Sequence, residues 1–103
     1  MVDMRIRLTG EDVVITDQLQ TYVEYRFFIS VARYQALIRG LNVSLWHNPG
    51  DARRFLCVIT LDLERGEHIK IRASGVHLNA AIDRAADRTS LRLSRRIHQH
   101  VSS

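Results

Sequence analysis

The sequence predicts an α+β fold, β-α-β-β-β-α, in which a four-stranded mixed sheet carries two helices packed on one face, an arrangement similar to a double-stranded-RNA-binding domain with an extra strand. Three observations predict it. Three short segments alternate apolar and polar residues, the period of a half-buried strand, and a fourth, 54–63, is a nearly continuous apolar run bounded by turn residues. Two longer segments repeat apolar residues at three- and four-residue spacing, the period of an amphipathic helix. One helix joins the first two strands, so these run parallel, and short turns join the last three into an antiparallel meander.

Residues 4–8 set Met4, Ile6 and Leu8 on one side and Arg5 and Arg7 on the other, a short strand that Thr9-Gly10-Glu11-Asp12 is expected to break. Thr16 or Asp17 then caps a helix running from 17 to about 36, its side chain accepting from unpaired amides of the first turn. Leu19, Val23, Phe27 and Tyr34 form the inward stripe, and Ile15 packs back from before the cap. Phe28 lies about 180° from Leu19. With Val31 it is expected to form an outward apolar patch, unless a loop covers it.

Gly40 separates that helix from a strand at 41–47, with Leu41, Val43 and Leu45 facing one way and Asn42, Ser44 and Trp46 the other. Asn48-Pro49-Gly50-Asp51 is a turn sequence. Residues 54–63 are the most apolar strand, which places it centrally. Arg65-Gly66 reverses the chain into 67–74, where Ile69, Ile71 and Ala73 alternate with His68, Lys70 and Arg72. The last helix begins near 76–78. With both helices on one side, the open face carries Arg5, Arg7, Ser44, Trp46, Thr60, His68, Lys70 and Arg72.

In the last helix Leu78, Ala81, Ile82, Ala85, Ala86, Thr89 and Leu93 form the inward stripe. Arg84, Arg88, Arg92 and Arg96 recur every four residues on the opposite face, with Arg95 beside them. A solvated face is the plainer reading. Yet only Asp83 and Asp87 offset five arginines, whereas solubilising faces mix their signs. Charge is also polarised: residues 1–52 hold five Arg and six acids (−1), residues 53–103 ten Lys+Arg and five acids (+5). That asymmetry suits a phosphate-rich partner. An anionic membrane fits less well, because the apolar stripe is alanine-rich and lacks bulky aromatics.

A chain of 103 residues is one domain with one modest core. No apolar run approaches a membrane span, and the start lacks the stretch of a secretory signal. A single cysteine, Cys57, sits in an apolar strand and fits a reducing cytoplasm better than nucleophilic work. No Gly-rich phosphate loop, CxxC pair or HExxH motif points to an enzyme or a cofactor. His98 and His100, two apart, share no helix face, so with His68 and His77 they make a poor metal site. Asp83 and Asp87 read as ion-pairing rather than acid–base residues.

Two groups of residues then resemble a known family. Leu8-Thr9-Gly10, Ile15-Thr16-Asp17-Gln18-Leu19, Tyr22-Val23-Glu24 and Arg26 at one end join Ala73-Ser74-Gly75, Ala80-Ala81-Ile82-Asp83 and Ala86-Asp87-Arg88 at the other. Over residues 4 to about 100 the chain resembles the bacterial ribosome hibernation-promoting factors, also called ribosome-associated translation inhibitors, in a short and divergent form. The resemblance implies a single ribosome-binding domain, 1–103, seated on small-subunit ribosomal RNA, with ribosomal proteins as further contacts, silencing idle ribosomes under stress. It implies RNA contacts from Arg26 and Arg33 on the first helix and Arg88, Arg92, Arg95 and Arg96 on the second. Arg84, Lys70 and Arg72 join them by position and charge. Residues 27–31 are more apolar than the family's usual lysine-rich segment. The alternative function is therefore a protein–protein module that pairs with itself, as a homodimer, through Phe28 and Val31.

Overall fold

The computed structural model describes residues 5–51 and 54–101, the last four by backbone alone. The elements are β1 (Arg5–Glu11), α1 (Asp17–Val31), a 3₁₀ helix (Ala32–Leu37), β2 (Ile38–His47), β3 (Phe55–Leu63), β4 (His68–Gly75) and α2 (Leu78–Val101). The sheet order is β1-β2-β3-β4. β1 and β2 are parallel, and the other neighbours antiparallel. This is the α+β arrangement expected from the sequence.

Alternation along the strands sorts the sheet into two faces. Leu41, Val43, Leu45, Cys57, Ile59, Leu61, Ile69, Ile71 and Ala73 are buried, and they join Val23 and Phe27 of α1 and Ala81, Ile82, Ala85, Ala86 and Leu93 of α2 in one core. The small alanines Ala81, Ala85 and Ala86 let α2 lie close against the sheet, and Ile82 and Leu93 supply the larger side chains of its inward face. Thr89 is also fully buried; its Oγ1 donates to the Ala85 carbonyl at 2.7 Å, which satisfies the hydroxyl within the helix. On the other face, register aligns Arg7, Asn42, Thr60 and Lys70 in one row and Thr9, Ser44, Val58 and Arg72 in the next.

Three expectations are corrected. β1 does not break at Thr9-Gly10: it pairs through Glu11, opposite Trp46, and turns only at Asp12, whose φ of 56° is the left-handed region that aspartate tolerates. Gly10 pairs opposite Leu45 inside the strand, and a side chain is excluded there because a Cβ would stand 2.6 Å from the Val13 carbonyl oxygen. The first helix holds its α form only to Val31, and the remainder to Leu37 tightens into the 3₁₀ helix, where Tyr34 still reaches the core. β2 accordingly starts at Ile38 and takes in Gly40, with a bulge at Arg39. Lastly, Val31 is fully buried and so cannot belong to an outward patch, whereas Phe28 is half exposed. The Thr16 cap stands as expected, its side chain accepting from Leu19 N at 3.1 Å.

Candidate nucleic-acid interface

α2 crosses above the sheet beside β4, an edge strand, and its outward residues overhang that edge. Arg84 Nη1 donates to the Ser74 carbonyl at 3.1 Å, and Arg88 Nη1 donates to the Arg72 carbonyl. These contacts fix two guanidinium groups along β4 while leaving each with further N–H donors facing outward. Lys70, Arg72, Arg88, Arg92 and Arg95 line a shallow, open cleft there with Ile71 and Leu91. Five of its seven lining residues are cationic and none is acidic, so its field is of one sign.

The other arginines expected at the site fall elsewhere. Arg96 pairs with Glu67 at the β3–β4 turn and borders a separate, apolar pocket with Leu37, Leu63, Leu93 and Ile97. Arg33 is exposed on the 3₁₀ helix after α1. Arg26 is held between the helices: Nη2 donates to Asp87 Oδ1 at 2.7 Å, Nε to Asp83 Oδ1 at 3.2 Å and Nη1 to Ser30 Oγ at 2.8 Å. Asp87, followed by Asp83, raises the Arg26 pKa further above its already high value, so its charge is permanent. Tyr22 completes the network by donating its hydroxyl to Asp83, a bond that raises the Tyr22 pKa.

The residues of this network are also those that carry the family resemblance: Tyr22 and Arg26 from one motif, Asp83 and Asp87 from the other. Each pair is four apart on its own helix, and the two pairs have complementary chemistry. That matched spacing was the signal available in the sequence for an interhelical clamp. The carboxylates indeed pair with arginine, but with Arg26 of the other helix rather than with their sequence neighbours.

Elsewhere, Trp46 is partly exposed on the open face and His68 Nδ1 lies 2.6 Å from Asp62 Oδ1. Among the described residues there is no cluster of metal-ligating side chains, and no helix is long and apolar enough to cross a membrane. The side chains of His98 and His100 lie outside the described residues.

A family model, the sigma 54 modulation protein / S30EA ribosomal protein family, matches residues 6–100. The chain belongs to this family. It is a family of ribosome-associated factors, the one its two motif groups resemble. Among solved structures, the N-terminal domain of Thermus thermophilus Protein Y is similar at 27% identity with a TM-score of 0.73, covering 86% of this chain and 93% of that one. A ribosomal subunit interface protein from Coxiella burnetii shares the fold at 18% identity with a TM-score of 0.77, covering 91% of this chain and 98% of that one. No curated protein matches the sequence.

Proposed function

We propose that this member of the S30EA family is a cytoplasmic RNA-binding protein, not an enzyme, that binds ribosomal RNA of the small subunit and keeps idle ribosomes silent. The observation that carries the reading is the one-signed cleft between α2 and β4, in which Lys70, Arg72, Arg88, Arg92 and Arg95 converge with no carboxylate among them. Arginine suits such a site because its planar fork can bridge phosphate oxygens or stack on bases. Arg84 extends the row toward Ser74, and Arg33 adds a cation beyond α1. Arg26 and Arg96 serve folding contacts first, since each already holds a carboxylate.

Binding of this kind is driven by counterion release and weakens steeply with salt. The test is co-sedimentation with ribosomes. The wild-type chain pellets with small subunits at physiological ionic strength, and Arg88→Glu with Arg95→Glu abolishes this while far-UV circular dichroism is unchanged. Co-sedimentation that persists in the double variant overturns the assignment of the cleft.

A further inference from the structure

The two edges of the sheet differ. Along β4, Arg84 and Arg88 occupy the outer carbonyls of Ser74 and Arg72. Along β1, the backbone bonds only to β2 among the described residues, so its outer row of N–H and C=O groups is open. An open edge is a template for another strand. We propose that β1 pairs with β1 of a second copy of this chain, antiparallel about a twofold axis at Leu8, so that the two sheets become one continuous sheet.

The charge pattern on β1 supports this register over its neighbours. Arg5, Arg7, Thr9 and Glu11 project to the open face, and Ile6, Leu8 and Gly10 to the helix side. Centred on Leu8, the pairing sets Arg5 opposite Glu11 of the second copy, twice by symmetry, with Arg7 opposite Thr9 and diagonal both to that same Glu11 and to Arg7 of the second copy, so that each copy's Glu11 lies between two arginines of the other. A one-residue slip mixes the two faces. Centring on Arg7 places two arginines against each other, and centring on Thr9 also sets Arg7 opposite Glu11 of the second copy but leaves Arg5 unmatched and shortens the ladder from residues 5–11 to residues 7–11. Arginines on an edge strand ordinarily repel a newcomer. Here the same strand carries the acid that receives them.

The first helix adds apolar area to this seam. Thr21, Glu24, Tyr25 and Phe28 of α1 form a shallow groove with Ile6 of β1. A twofold axis normal to the sheet brings both α1 helices to the same side, flanking the seam. Tyr25 and Phe28, 65% and 50% exposed in one copy, are then partly covered. Strand pairing alone is marginal, and this apolar flank supplies the remainder. The basic cleft lies at the opposite edge of the sheet, so the dimer and RNA binding stand or fall separately.

Sedimentation velocity over a concentration series tests the pairing with wild type, Arg5→Glu, Glu11→Arg and the double swap. Wild type dimerises reversibly. Each single variant places like charges at both symmetric positions and weakens the dimer about tenfold, and the swap restores it. Phe28→Asp weakens it without touching the strand. A wild-type monomer up to about 1 mM overturns the proposal. So do single variants that dimerise like wild type, a swap that fails to restore, or a dimer indifferent to Phe28→Asp.

Discussion

Arg26 Nη2 and Asp87 Oδ1 lie 2.7 Å apart, joining α1 to α2 through a guanidinium that also reaches Asp83. The two carboxylates are not equivalent. Asp83 accepts from both Tyr22 and Arg26 and is the less exposed, whereas Asp87 accepts from Arg26 alone in near-open solvent. Asp83→Ala therefore costs about 2 kcal/mol, because it leaves a phenol and part of a guanidinium without acceptors. Asp87→Ala costs less than about 1 kcal/mol. Urea midpoints of the two variants and of Arg26→Ala check this, and equal losses for both aspartates contradict it.

The cleft and the clamp predict different salt behaviour for arginines that look alike in sequence. Arg92→Ala removes one phosphate contact, so the slope of log affinity for ribosomal RNA against log salt falls in magnitude by about 0.7–0.9. Arg26→Ala leaves that slope nearly unchanged, since its guanidinium is already engaged with Asp83 and Asp87, and acts instead on stability. Filter-binding titrations at several salt concentrations separate the two effects.

Gly75 is where α2 begins to lean on the end of β4. A Cβ there would stand 2.9 Å from the Ala81 amide nitrogen and 3.1 Å from the Ala80 Cβ, both part of the first turn of α2 and unable to swing aside. Gly75→Ala must push the helix start off the strand and costs about 2–3 kcal/mol, or roughly 10–20 °C in Tm for a domain of this size. Gly50→Ala is the control, because its nearest neighbour is the Asn48 side-chain oxygen at 3.6 Å on an exposed turn. Thermal melts of the two variants should differ widely.

Most of the fold was legible because the period-2 alternation of β2 and β4, the short apolar run of β3 between turn residues and the alanine-rich stripe of α2 each point to one element. The break at the end of α1 was not. No glycine or proline stops the helix before Gly40, and residues 27–31 are apolar except for Ser30, so periodicity alone could neither end the α form at Val31 nor tell buried Val31 from exposed Phe28. Thr9-Gly10 resembled a turn because glycine is a turn residue in sequence, whereas here it is required by a close approach of the Val13 carbonyl to a strand paired with Ser44 and Leu45, which only the folded chain creates. The row of arginines was legible as a face. Which arginines of the chain are already paired is a tertiary fact, decided by Arg26 of α1 meeting Asp83 and Arg96 of α2 meeting Glu67.

Thr89 is a polar residue in the inward stripe of α2, and its hydroxyl bonds only to the Ala85 carbonyl of its own helix. Thr89→Val keeps the shape and leaves no donor stranded, so stability changes by less than about 1 kcal/mol. Thr89→Leu adds volume where Ala81, Ala85 and Ala86 hold the helix close to the sheet, and costs about 1–3 kcal/mol. Guanidinium denaturation of the pair distinguishes a site limited by volume from one limited by polarity.

Cys57 faces the core from the centre of β3, and burial pushes its thiol from 9.0 up to about 12. The neutral form is thus favoured by the fold. Unfolded chains release this proton near the ordinary value while folded ones retain it, so stability is full below about pH 9 and falls as pH rises from there toward 12. Tyr22, raised by its bond to Asp83, acts in the same direction. Urea midpoints measured from pH 8 to pH 11 should fall for wild type and fall less steeply for Cys57→Val, which keeps the volume without the titrating group. The native thiol should also resist aromatic disulfide reagents at pH 8 until denaturant is added, since only the thiolate attacks. A wild-type thiol that reacts rapidly without denaturant, or parallel pH profiles for the two proteins, contradicts a buried and protonated Cys57.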